Sequence, residues 1–197
     1  MKRKTFFKKI PSEEITPLEI YMRFLDDKNS YFFESVEGGE KWAKYSIIGL
    51  PTDKKIKLSD SPLDEIDDFM KSQKVERIEG LPDFTGGLVG YFSYDTIRHI
   101  EKKLSNSKKP QLNYAEISLM ISDELIVYDN YEKNLFIIVN DSEKNEKLAN
   151  LRIDEILQQI NTPLEDQDNS KKNKIEFSSS VSKKDYLQNV KKIKDYI

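Results

Sequence analysis

The sequence contains no cysteine, which excludes disulfide frameworks, thiolate metal sites and a cysteine nucleophile together, and suits a reducing compartment. Histidine occurs once, as His99. Alone in a polar stretch beside Arg98, it lacks the partners that a general base requires and reads as a surface side chain. An excess of one charge is also missing: 32 Lys and Arg stand against 35 Asp and Glu, a formal net charge of −3. No field exists to gather nucleic-acid phosphates or an anionic membrane. No run of about twenty apolar residues occurs, as a spanning helix needs, and the basic start MKRKTFFKKIPSEE lacks the apolar stretch of a signal peptide. These absences predict a soluble cytoplasmic protein with neither a nucleic-acid nor a membrane partner. Glycine is sparse and confined, since all seven lie between Gly38 and Gly90, where sharp turns and close backbone approach are therefore expected.

What is present supports a real core. The chain is 197 residues long, 37% hydrophobic and 11% aromatic, with ten Tyr and ten Phe, which is enough large apolar surface to offset chain entropy in one substantial domain. After a basic N-terminal strand or arm, Thr16-Pro17 opens an amphipathic helix, LEIYMRFLDD, with the threonine as N-cap. SYFFES at 30–35 and KYSIIGL at 44–50 read as strands, the second closed by Pro51. A short strand at 56–58 precedes a helix capped by Ser61-Pro62. The glycine-dense LPDFTGGLVGYFSYD at 81–95 reads as strand pieces joined by tight turns, and 98–106 as a helix end and loop. Two alternating runs, 116–128 and 135–139, flank DNYEKN, predicting an antiparallel hairpin. A long helix is expected over 143–160, an exposed linker over 161–174, then a short strand and a helix capped by Ser182 that carries Tyr186, Val190, Ile193 and Ile197 on one side. The fold class expected is α+β: an antiparallel sheet or sandwich with helices packed outside.

Several motifs have bland explanations. GGLVG lacks the lysine and hydroxyl residue of a phosphate-binding loop and has no clear helix after it. Trp42 is expected to anchor packing. The lysine-rich terminal helix interleaves Asp185 and Asp195, which makes it a solvated face and not an RNA surface.

Two stretches are more specific: FFESVEGGEKWAKYSIIGLP at 32–51 and LPDFTGGLVGYFSYDTIRHIE at 81–101. Together, in this order and separation, they resemble anthranilate synthase component I of the chorismate-utilising enzymes. The hairpin around Tyr128-Asp129 and the terminal FSSSVSKKDYLQNVKKIKDYI extend the resemblance along nearly the whole chain. It implies a lyase that combines chorismate with ammonia to give anthranilate and pyruvate in tryptophan biosynthesis. The chorismate and magnesium sites of that family lie in a later domain, so no catalytic or metal residue is assigned here. Residues 1–165 correspond to the regulatory N-terminal domain and 166–197 to a linker and the start of the catalytic domain, cut short. The resemblance assigns Ser35 and Glu34 to a tryptophan feedback pocket, which Tyr45 and Ser46 on the neighbouring strand could share. It also implies a glutamine amidotransferase subunit as partner, and apolar surface through which the isolated chain self-associates into homo-oligomers. The aminodeoxychorismate synthase subunit, which shares the fold, and a stand-alone amino-acid-binding module are the alternatives that the residues leave open.

Overall fold

The computed structural model describes residues 2–12, 14–26, 28–34, 44–58, 61–104, 114–164 and 178–197. From the N-terminus the chain forms β1 (Arg3–Pro11), α1 (Pro17–Arg23), β2 (Asn29–Phe33), β3 (Tyr45–Thr52), α2 (Pro62–Ser72) and β4 (Gly87–Phe92). A 3-10 turn (Tyr94–Thr96) then runs into the short α3 (Ile97–Ile100), followed by β5 (Ile117–Ser122), β6 (Glu124–Asp129), β7 (Asn134–Ser142), α4 (Glu146–Asn161) and α5 (Lys183–Tyr196). The chain divides into two compact units, Met1–Leu164 and Glu165–Ile197.

In the first unit five strands form an antiparallel sheet in the order β1-β7-β6-β3-β2, while β4 and β5 form a separate antiparallel pair. This is the mixed, antiparallel α+β class that the patterning predicts. One face of the large sheet receives Ile20 and Phe24 of α1 and Ala149, Ile153, Ile156 and Ile160 of α4, which close on Ile48, Ile126, Leu135 and Ile137. The opposite face carries Leu125, Val127, Phe136 and Ile138, packed by Tyr45, Ile47, Leu81 and Phe84. Strands buried on both sides need apolar residues at every position, which is why ELIVYD and NLFIIVNDS are nearly continuous and not alternating. Full burial of one Ile or Leu side chain contributes roughly 1.5–3 kcal/mol. An exposed pair such as Lys8–Asp154, at 2.9 Å, contributes about 0–1 kcal/mol. Burial therefore holds the sheet, and the lysine fringe of β1 serves to keep its edge soluble.

The helix starts follow from local chemistry. Thr16 Oγ1 accepts from the Glu19 amide at 3.2 Å and Glu19 Oε2 accepts from the Thr16 amide at 2.8 Å, a complete capping box with Pro17 in the first turn. At α5, Ser182 Oγ accepts from the Asp185 amide at 3.1 Å. Ser61 stands before Pro62 as expected, yet its hydroxyl makes no cap bond; instead Glu65 Oε1 accepts from the Ser61 amide at 3.3 Å.

Three expectations change. The run 116–128 is two strands: β5 pairs with β4, β6 pairs with β3 and β7, and Asp123 alone separates them. Its carboxylate takes Arg3 Nη2 at 2.5 Å and Lys54 Nζ at 2.9 Å, so partners distant in sequence pin the break. Residues 56–58 form no strand; Lys55 makes a single bridge to Met120. Pro51 does not end β3, which runs on to Thr52. The linker expected at 161–174 and the strand ahead of Ser182 fall mostly outside the described residues.

The two sheets are tied through Tyr31. Its ring is 8% exposed, and its hydroxyl meets Ser122 Oγ, at the end of β5, at 2.7 Å. The ring covers Gly49, its register partner on β3, where a Cβ would lie 1.8 Å from Tyr31 Cε1. Gly49→Ala is therefore expected to cost about 1–3 kcal/mol by overpacking, read as a lower urea midpoint at unchanged slope. Burial pushes the Tyr31 phenol up to about 12 from the ordinary 10.0, with the Ser122 hydrogen bond opposing. Because the folded state holds this proton more tightly, the stabilisation is intact below pH 10 and is lost as pH rises from 10 towards 12. Stability curves across that window should fall more steeply for the native chain than for Tyr31→Phe, by up to about 3 kcal/mol.

Candidate functional site

Three of the residues singled out in the sequence, Glu34, Tyr45 and Ser46, lie towards one end of the β2–β3 pair. Antiparallel pairing sets Phe33 opposite Ile47, so the residue after β2, Glu34, and the first residues of β3 share that end. Glu34 is exposed. Ser35, with Trp42 and the Gly38-Gly39 turn, lies outside the described residues.

Tyr45 and Ser46 do not line one pocket through their side chains. Successive residues of a strand point to opposite faces, and here Tyr45 packs with the Leu125–Val127–Phe136–Ile138 face, whereas Ser46 stands opposite Tyr128, which belongs to the helix-covered core. Ser46 is fully buried and its hydroxyl accepts from Asn130 Nδ2 at 3.0 Å. The hydroxyl is thus engaged inside the fold, linking the start of β3 to the hairpin. Tyr45 is half-buried and keeps part of its surface open.

Lys44, which sequence reasoning passed over, completes this end. Its ammonium lies 5.1 Å from the Tyr45 ring centroid and 3.6 Å from Asp129 Oδ2. Hydrogen bonding and charge from Tyr45, with the Asp129 carboxylate adding to them, push Lys44 above its ordinary value, so it stays protonated at neutral pH. Asp129 is 1% exposed and its Oδ1 accepts from the Tyr131 and Glu132 amides at 3.0 and 2.9 Å. That carboxylate is compensated by the hairpin it closes, as a buried charge must be, and it fixes the cation beside Tyr45. The sequence signal was the basic residue next to Tyr45 and the aspartate opening the predicted DNYEKN turn; the β3–β6 pairing that sets Tyr45 opposite Asp129 emerges only in the fold. The end therefore presents a basic and an aromatic side chain together, with Glu34 exposed just past β2.

Other candidates resolve simply. GGLVG enters and forms β4, which is not the loop-to-helix setting of a phosphate cradle. His99 does find a partner, Glu116 Oε2 at 2.9 Å from Nε2, in an exposed hydrogen bond. Among the described residues no group of three or more His, Asp or Glu side chains comes together to hold a metal ion. No helix among the described residues is long and apolar enough to cross a membrane.

Comparison with known proteins places this geometry in context. A family model described as chorismate binding enzyme matches residues 28–197. Anthranilate synthase component 1 of Pseudomonas aeruginosa is 36% identical over 209 residues, covering 92% of this chain and 42% of that protein. The protein of the same name from Acetivibrio thermocellus is 36% identical over 211 residues, with coverage of 92% and 42%. The chain thus spans well under half the length of these relatives. The crystal structure of anthranilate synthase component I from Streptococcus pneumoniae TIGR4 superposes with a TM-score of 0.52 at 19% identity, over 79% of this chain and 37% of that one, which supports the fold. A family match running from the second strand to the last residue, joined to the antiparallel fold seen in a solved relative, makes this chain a member of the chorismate binding enzyme family, akin to anthranilate synthase component 1.

Proposed function

We propose that this chain is the N-terminal, regulatory portion of an anthranilate synthase component I, which converts chorismate and ammonia to anthranilate and pyruvate in tryptophan biosynthesis. Relatives of that name, aligned along 92% of this chain but only 42% of their own length, support the reading. The lyase chemistry and its magnesium ion belong to the larger remaining share of such proteins, and the 197-residue chain alone is inactive. A glutamine amidotransferase subunit supplies the ammonia, and the assembly works in the cytoplasm. Exposed Tyr91, Phe92 and Tyr94 give the isolated chain a surface for homo-oligomers.

The role of this portion is feedback control by L-tryptophan. The observation that carries it is the Lys44 ammonium held 5.1 Å from the Tyr45 ring centroid at the start of β3, the end of the pair at which β2 finishes and Glu34 follows it. A carboxylate accepts from an α-ammonium, a protonated lysine pairs with an α-carboxylate, and an aromatic face receives an indole. Ser35 follows Glu34 in sequence and adds a hydroxyl. Ser46 supports the strand through Asn130. The pocket is divided between this portion and the rest of the enzyme, so binding here is weak.

Pure chain given chorismate, ammonia and magnesium is expected to form no fluorescent anthranilate; sustained turnover would sink the assignment of chemistry to another portion. Titration with L-tryptophan, followed by amide NMR, is expected to move the Lys44 and Tyr45 signals with an apparent Kd of about 1 mM or weaker, and Glu34→Gln and Lys44→Met are each expected to weaken it further. Shifts confined to other parts of the chain would refute the effector site. Saturation at micromolar tryptophan would instead identify a self-sufficient amino-acid sensor.

A further inference from the structure

A cavity of about 200 Å³ opens where α2 meets the junction of the two sheets. Phe69, Met70 and Val75 line one side; Arg3, Asp123 and the Gly86–Gly87 backbone line the other. None of these residues takes part in the effector end of β2–β3, and the inference is independent of the tryptophan reading.

The floor is built by Asn140, which is 9% exposed. Its Oδ1 accepts from Thr5 Oγ1 at 2.6 Å, and its Nδ2 donates to the Thr85 carbonyl at 2.6 Å and the Asp123 carbonyl at 3.3 Å. One side chain thus fastens β1, β7, the entry to β4 and the β5–β6 break. Gly86 has φ +132°, and a Cβ there would lie 2.5 Å from Asn140 Nδ2 and 2.7 Å from the Ser122 carbonyl. Glycine lets the loop close onto this floor. The cavity is shaped before any ligand arrives, which lowers the ordering cost of binding.

Electrostatics select the ligand. Arg3 Nη2 serves both Asp123 Oδ1, at 2.5 Å, and the Asn140 carbonyl, at 3.2 Å; Nη1 and Nε have no partner among the described residues. The Arg3 side chain is 21% exposed, so those donors sit in a partly dehydrated setting where a charge-assisted bond is strong. The other oxygen of Asp123 is taken by Lys54 Nζ at 2.9 Å. One carboxylate therefore answers two cations, and the lining itself holds Arg3 and Lys74 against Asp123 alone. The surplus charge is positive, Arg3 keeps Nε–H and Nη1–H as separate in-plane donors, and the facing wall is hydrocarbon and thioether.

We propose that this cavity binds a small monocarboxylate with an apolar body, its carboxylate on Arg3 and its hydrocarbon against Phe69, Met70 and Val75. A cavity of roughly 150 Å³ holds a benzene molecule, so this larger open space suits an acid of about ten non-hydrogen atoms. Sodium benzoate is the probe. In amide NMR of the 197-residue chain, benzoate is expected to give saturable shifts at Gly86, Gly87, Asp123 and Asn140 with a Kd of roughly 1 mM or tighter. Neutral benzyl alcohol is expected to bind about tenfold more weakly, because it forfeits the charge-assisted bonds. Met70 is 43% exposed, so Met70→Trp can fill the cavity without disturbing the core, and is expected to abolish the benzoate shifts. Arg3→Gln, which leaves Asp123 paired with Lys54, is expected to remove the preference for benzoate over benzyl alcohol. Absence of saturable shifts, equal affinity for acid and alcohol in the native chain, or unchanged benzoate binding by Met70→Trp would each overturn the proposal.

Discussion

The burial of β6 and β7 on both faces is the constraint on which the rest depends. Leu125–Asp129 and Leu135–Asn140 are buried at every position, so this hairpin is the centre of the fold and the other elements of the first unit are covers for it. The α1 and α4 helices close one side; Tyr45, Ile47, Leu81 and Phe84 close the other. A hairpin so placed cannot carry a charge without compensation. Asp129 is admitted only because two amides of its own turn and Lys44 answer it. The lysine that neutralises the turn is also the cation standing beside Tyr45, so a requirement of folding sets up the chemistry of the proposed effector end.

Much of this was legible in the residues because the signals are local. The capping box at Thr16 and Glu19, the Ser182 cap and the apolar stripe of α4 depend on neighbours within four positions, and they stand where the spacing puts them. The DNYEKN turn was readable for the same reason. The split of 116–128 was not, because ISLMISDELIVYD remains apolar on both sides of Asp123 and the partners that pin it are Arg3 and Lys54. Nothing within a strand's length announces that contact.

The residues of the candidate site are a matter of composition, but their directions are not: strand alternation sends Ser46 into the helix-covered core and Tyr45 to the opposite face. Burial decides between the two, since a fully covered hydroxyl already bonded to Asn130 is unavailable to a ligand. Asn140 shows the converse. It lies one position past the 135–139 run, and only tertiary contact reveals a four-way fastening.

The single-residue hinge at Asp123 also bears on how such sequences can drift in length. Side chains alternate sides along a strand, so one residue gained or lost there would turn every inward group of β5 or β6 outward unless the whole partner sheet shifted with it. Lineages carrying this architecture should therefore accumulate insertions in the connections on either side of the β4–β5 pair, and hold the spacing between Ser122 and Glu124 constant while the identities around it vary.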